Sequence, residues 1–240
     1  MRYAILSDIH GNLDALKAVL SALSSEKIDA YVCLGDIVGY GPQPAECVHE
    51  IQKYGCIVVA GNHDFAVSEK LNIGNFNVLA KEAVLWTRAK LSAEDIEFLA
   101  NLPLEERLEG FHVVHGTLYA PELFDYVQTS YDASLSMARM EAPLCFVGHS
   151  HVPVTFVQGQ VISYSLGQVV QINPRNKVIV NVGSVGQPRD KDPRACYAVY
   201  DTESQTVLIQ RTHYDIESVI AKIREAGLPV PLGERLRVGR

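Results

Sequence analysis

Five short polar clusters, each directly behind an apolar run, gather the residues able to do chemistry. They are Asp8-Ile9-His10, Gly35-Asp36, Gly61-Asn62-His63-Asp64, His115-Gly116 and Gly148-His149-Ser150-His151. They offer carboxylates, an amide oxygen and imidazoles, and no thiolate. That donor set suits Mn²⁺, Fe, Zn²⁺ or Ni²⁺, with Mn²⁺ favoured. Taken singly, an Asp behind a strand is a turn former or helix cap, Gly61-Asn62 is a turn, and His115 is a surface or core histidine. The joint pattern overrides these readings, because five of the eight histidines lie in the clusters, always right after an apolar run. In Asp-x-His and His-x-His the side chains are two residues apart, so extended backbone would point both to one side. One metal could take both, or two neighbouring metals could share them.

Two ions about 3.5–4 Å apart require a bridging carboxylate. Asp36 is the candidate, since the second strand is expected to be central in its sheet. A hydroxide between the ions would be a nucleophile at neutral pH. His63, beside the candidate ligand Asn62, can protonate the leaving oxygen, with Asp64 to orient it. The reaction this predicts is hydrolysis of a phosphate ester, with His63 as general acid. Substrate contacts are expected from Asn62 and from the stretch Asn181 to Asp190. There Gly183, Ser184 and Gly186 would let backbone N–H groups approach an anion, and Arg189 could clamp a phosphate. Tyr40, Asn12 and the loop from Tyr119 to Tyr126 are further candidates for the pocket wall.

These clusters need rigid elements behind them. The first third alternates strand and helix patterns: Tyr3 to Leu6, the amphipathic Leu13 to Leu23 capped by Asn12, Ala30 to Leu34, Pro44 to Tyr54, and Cys56 to Ala60. Such alternation predicts parallel βαβ units in a covered sheet, where ligands collect at the carboxyl ends of the strands. The stretch from Asn75 to Asn101 is helical in pattern, with a new helix beginning at Ser92, and reads as packing outside the site. The remainder is mostly strand-like: Phe111 to Val114, Leu144 to Val147, Val152 to Val157, Val161 to Ser165, Val169 to Ile172, Val178 to Val182, Cys196 to Tyr200 and Thr206 to Gln210. Tight turns such as Gly159-Gln160 imply an antiparallel portion. Asp215 to Ala226 is a closing helix that stops at Gly227.

The 240-residue chain, without a linker or repeat, reads as one domain spanning 1–240. Its 48% hydrophobic and 20% charged residues fit a folded soluble protein rather than disorder. A net charge of −7 and the lack of a Lys/Arg run disfavour a nucleic-acid polymer as partner. Five irregularly spaced cysteines without C-x-x-C predict reduced thiols in a cytoplasmic protein. No signal segment is evident, and no apolar run reaches the ~20 residues of a membrane-spanning helix.

With these blocks in place, the chain resembles the calcineurin-like metallophosphoesterase superfamily, whose pattern is D-x-H, G-D, G-N-H-[DE], a later histidine and G-H-x-H. The resemblance implies an α/β fold, a four-layer α-β-β-α sandwich with mixed sheets, and a dinuclear site at the strand carboxyl ends. It implies one metal on Asp8, His10, Asp36 and His151, and another on Asp36, Asn62, His115 and His149. His63 matches the family's catalytic histidine. The protein phosphatases of this superfamily carry an arginine in G-D-x-V-D-R-G. Here the segment runs Gly35-Asp36-Ile37-Val38-Gly39-Tyr40-Gly41-Pro42, so a phosphoprotein substrate is disfavoured. The Gly-Tyr-Gly-Pro and Asn181 to Asp190 stretches resemble a compact bacterial and archaeal subgroup of phosphodiesterase-like and diadenosine-tetraphosphatase-like proteins. The expected substrate is a small phosphodiester or nucleotide, and the expected assembly a monomer or small homo-oligomer. Two alternatives remain at this level: a metal-binding interaction module without turnover, disfavoured by the intact His63, and a nuclease, disfavoured by the charge.

Overall fold

The computed structural model describes residues 1–240. In chain order the elements are β1 (Arg2–Leu6), α1 (Leu13–Leu23), β2 (Ala30–Cys33), α2 (Pro44–Lys53), β3 (Ile57–Val58), α3 (Asn62–Val67), α4 (Val78–Arg88), α5 (Ala93–Ala100), β4 (Glu105–Leu108) and β5 (Phe111–Val114). Then follow α6 (Ser130–Arg139), β6 (Leu144–Val147), β7 (Val154–Gln158), β8 (Ile162–Ser165), β9 (Val169–Gln171), β10 (Val178–Asn181), β11 (Ala195–Asp201), β12 (Thr206–Thr212), α7 (Ile216–Glu225) and α8 (Val230–Glu234). They build two six-stranded mixed sheets, ordered β3-β2-β1-β11-β12-β9 and β4-β5-β6-β10-β7-β8.

The layering follows from which strand faces are apolar. Tyr3, Ile5, Val32 and Leu34 from the first sheet meet Phe111, Phe146, Val178 and Val180 from the second in one buried cluster between the sheets. The opposite face of the first sheet, through Ala4, Leu6, Cys33 and Val199, packs on Leu16, Val19, Leu20 and Leu23 of α1 and on Cys47, Val48 and Ile51 of α2. The opposite face of the second sheet, through Cys145, Val147 and Ile179, packs on Ala133 and Met137 of α6. With both faces covered, the inner strands are apolar almost throughout rather than alternating. The result is the four-layer α-β-β-α sandwich that the family resemblance implies.

Three strands of the first sheet, β1, β2 and β3, run parallel, as do β5, β6 and β10 of the second. Their carboxyl ends carry the polar clusters. One expectation is corrected: β2 lies next to the edge strand β3, whereas β1 and β11 occupy the middle of the sheet. No helix is long and apolar enough to cross a membrane.

Candidate metal centre

Five of the seven candidate ligands leave their strands through left-handed backbone. The φ angles are +53° at Asp8, +51° at His10, +51° at Asp36, +65° at His149 and +59° at His151. This corrects the expectation of extended Asp-x-His and His-x-His pairs. Such a conformation costs roughly 1–2 kcal/mol per residue with a Cβ and persists only where neighbours impose it. Here they do. His10 N–H donates to the Asp36 carbonyl (2.9 Å), Asp8 N–H to Gly35 (3.1 Å), Gly148 N–H to His115 (2.8 Å), and Gly186 N–H to Asp8 (2.9 Å).

Within this frame each carboxylate has one oxygen fixed and one turned inward. Asp8 Oδ2 accepts from Ser7 Oγ (2.7 Å) and His149 N–H (3.0 Å), while buried Oδ1 has no hydrogen-bond partner. Asp36 Oδ1 accepts from His63 N–H (2.8 Å). Its Oδ2 lies 3.5 Å from His10 Nε2 and 3.4 Å from His115 Nε2. Asp36 Oδ2 thus lies between the two imidazoles, a position set by its place in the cluster and not in the sheet.

The imidazoles are oriented from behind. The Nδ1 atoms of His10, His115 and His151 face the carbonyl oxygens of Val38 (3.1 Å), Leu34 (2.7 Å) and Gln187 (2.6 Å). A carbonyl only accepts, so Nδ1 carries the hydrogen in each ring and a neutral ring presents a lone pair at Nε2. Burial pushes His10 well below its usual value and lowers His151. Both rings are thus neutral, and their Nε2 lone pairs face each other at 3.2 Å with Asp8 Oδ1 3.2 Å from His151. Acceptors converging without a donor make a candidate cation site. A second convergence brings His115 Nε2 to 3.0 Å from His149 Nδ1, beside Asp36. His115 is pushed up to about 9: burial opposes the charge, and Asp36, then Asp8, overcome it. The buried Asn62 Oδ1 is also without a partner, and Asn62 lines the adjoining cavity. Divalent cations fit this donor set.

The cavity has a volume of about 190 Å³ and exposes Asp36, Asn62, His63, His149, His151, Tyr40 and Arg189. Arg189 Nη2 donates to Gln187 Oε1 (2.8 Å), and its buried Nε has no partner. Burial pushes His63 down to about 4, against an upward pull from Asp36, and its Nδ1 is unpartnered.

Four expectations are corrected here. Asp64 does not orient the His63 ring. Its carboxylate accepts N–H bonds from Asp36 (2.8 Å), Ile37 (3.0 Å), Val38 (3.3 Å) and Gly61 (3.0 Å), and so ties the β2 loop to α3. Ser184 is fully buried, donating to the Asp8 carbonyl (2.8 Å) and accepting from Gln187 N–H (2.8 Å). The neighbouring N–H groups of Gly183, Val185 and Gly186 are likewise bonded internally, so this turn is no anion cradle. Asn12 caps α1 and donates to the Gly186 carbonyl (2.9 Å), outside the main cavity. Lastly, the stretch read as remote packing contributes Asn75, Phe76, Asn77 and Ala80 to the cavity wall. Their sequence carries only a helix-cap signal at Asn77, which says nothing of what the cap faces.

Comparison with known proteins agrees with this architecture. Residues 1–205 match the calcineurin-like phosphoesterase superfamily domain. A metallophosphoesterase from Sphaerobacter thermophilus is 40% identical, with a TM-score of 0.89 over 100% of this chain and 99% of that one. An uncharacterised protein of Methanocaldococcus jannaschii is 40% identical over 99% of this chain and 98% of its own length. The phosphodiesterase YfcE of Escherichia coli is 24% identical over 93% of this chain and 97% of its own. The chain belongs to the calcineurin-like phosphoesterase superfamily.

Proposed function

We propose that this protein is a two-metal phosphoesterase acting on a small phosphodiester or nucleotide, with Mn²⁺ as the favoured ion. The observation that carries the reading is the pair of buried imidazole–carboxylate convergences, one of Asp8, His10 and His151 and the other of Asp36, His115 and His149, with Asp36 Oδ2 within reach of His10 and His115 alike. Asn62 completes the second group. Ions bound there would supply Lewis-acid activation of water and of the phosphoryl oxygens. The remaining work falls to the chain's own residues. Arg189, with unpartnered donor capacity on the cavity, binds the non-bridging oxygens of the ester. His63 gives its proton to the departing oxygen. It is neutral in the ligand-free site, and an anionic phosphate beside it raises its proton affinity as Asp36 does. Asp64 holds the Asp36 backbone in place. Five unbridged cysteines support work in a reducing cytoplasm.

Metal-stripped protein reloaded with Mn²⁺ is expected to hydrolyse an aryl phosphodiester. His63→Ala should lower kcat by roughly 10²–10⁴-fold at unchanged metal content, measured by elemental analysis. Absence of turnover on mono- and diesters with Mn²⁺, Ni²⁺, Zn²⁺ and Mg²⁺ alike would sink the proposal.

A further inference from the structure

The cavity is smaller than the ~300–1,000 Å³ of sites that enclose a drug-sized ligand. It has room for the phosphoryl group, and the rest of a substrate must lie at the rim. The aromatic rings at that rim differ in what they have free. Tyr40 is only 7% exposed and packs on Leu232 and Leu236. Phe76 is wedged between two apolar clusters. Tyr126 is 45% exposed. One face of its ring lies parallel to the His149 imidazole, with centroids 4.0 Å apart and planes 12° apart. No ring covers the other face.

The chain holds Tyr126 there deliberately. Its loop is pinned on both sides, by Phe124, 6% exposed and packed on the Phe65 and His115 rings, and by Val127, 3% exposed in the cluster on α6. A large ring fixed between two anchors is left half in solvent above a phosphate-sized cavity, where it meets whatever enters. We propose that Tyr126 determines specificity: its open face stacks a flat aromatic group of the substrate, a nucleobase or an aryl ring, while the phosphate sits against Arg189. This rests on the phosphoesterase reading and narrows its substrate class.

The test uses the full-length, Mn²⁺-loaded protein and one aryl diester as reporter. Inhibition constants are measured for adenosine 5′-monophosphate, phenyl phosphate and propyl phosphate with wild type, Tyr126→Ala and Tyr126→Phe. Stacking predicts that Tyr126→Ala, compared with Tyr126→Phe, weakens the two aromatic inhibitors roughly tenfold and propyl phosphate by less than about twofold, while Tyr126→Phe, which keeps the ring but loses the hydroxyl beside Arg189, moves all three alike. Weakening of only one aromatic inhibitor identifies whether the face takes nucleobases or aryl rings. Equal weakening of all three by Tyr126→Ala relative to Tyr126→Phe would mean that the ring merely supports His149, and no weakening would mean that the face is unused. Either result overturns the inference. If wild type turns over no reporter, the phosphoesterase reading fails instead, and direct calorimetric binding of the same three phosphates still decides the role of Tyr126.

Discussion

His115 is the site imidazole whose proton affinity the surroundings raise, while burial lowers that of His10, His63, His149 and His151. The consequence follows by linkage. A metal ligand must present a lone pair, so ion uptake at neutral pH displaces the His115 proton. Titration of metal-free protein with Mn²⁺ at pH 7, in buffers of different ionisation heat, should report release of about one proton per chain. Affinity should climb with pH by up to about tenfold per unit and level off above about 9, where His115 is already neutral. Zero release at pH 7 would show that His115 is not a protonated imidazole that the ion displaces. The same shift has a folding counterpart in the metal-free chain. A raised histidine stabilises fully below its unfolded value of about 6.5, and that contribution is lost as pH rises through about 9.

Between residue and fold, the turns after the strands carry a steric requirement of their own. A Cβ on Gly61 would overlap Asp36 Oδ1 and the Asp36 amide, and one on Gly148 would overlap Ser7 Oγ and reach 2.6 Å from Asp8 Oδ2. Each glycine leaves the space in which a carboxylate's hydrogen-bonded oxygen sits, and so sets the direction of the other oxygen. Gly61→Ala and Gly148→Ala should therefore weaken metal binding, seen by equilibrium dialysis. Gly110→Ala, where a Cβ meets nothing within 4 Å but φ is +87°, should cost some stability and leave metal binding intact. Equal metal affinity in all three variants would show that the carboxylates are not held this way. These turns also mark where sequence legibility ends. Amphipathic segments with caps, such as Leu13 to Leu23 behind Asn12, emerge almost to the residue. The ligand types are legible because imidazole and carboxylate have few other reasons to recur behind strands. Helix α3 is not, since six residues carry no apolar period and Gly-Asn imitates a turn. Strand β4 escapes because Glu-Glu-Arg-Leu on a sheet edge is polar and exposed. Helix α6 left a readable signal, the Thr129–Asp132 capping box, ahead of a weak apolar stripe. The inward turn of the ligands and the holding roles of Asp64, Ser184 and Asn12 depend on partners far away in sequence or on backbone carbonyls, which have no letter of their own.

Over the whole molecule, the match to the family domain ends at residue 205, yet the chain beyond it reaches the site. Strand β12 joins the first sheet, and α7 and α8 close a cluster of Tyr40, Ala80, Ala83, Val219, Ile223, Leu228, Leu232 and Leu236. Tyr40, itself at φ +61°, presses its ring on His10 (4.7 Å) and His63 (4.5 Å). The C-terminal helices thus form the floor under Tyr40, and through it under a candidate ligand and the candidate acid. Loss of that floor should be distinguishable from loss of stability alone. Leu236→Ala is expected to cost about 2–5 kcal/mol by leaving a cavity behind Tyr40. Phe111→Ala, between the sheets and contributing nothing to the substrate cavity, is expected to cost about 3–5 kcal/mol. The two variants then differ in activity per folded molecule. A displacement of reacting groups by ~1 Å costs up to ~10²-fold, so Leu236→Ala should lower kcat well beyond Phe111→Ala when both are assayed below their unfolding transitions. The comparison needs only a thermal melt to set the folded fraction and a rate at saturating aryl diester. Equal rates per folded molecule would mean that Tyr40 keeps its place without the C-terminal helices, and that their packing serves stability alone.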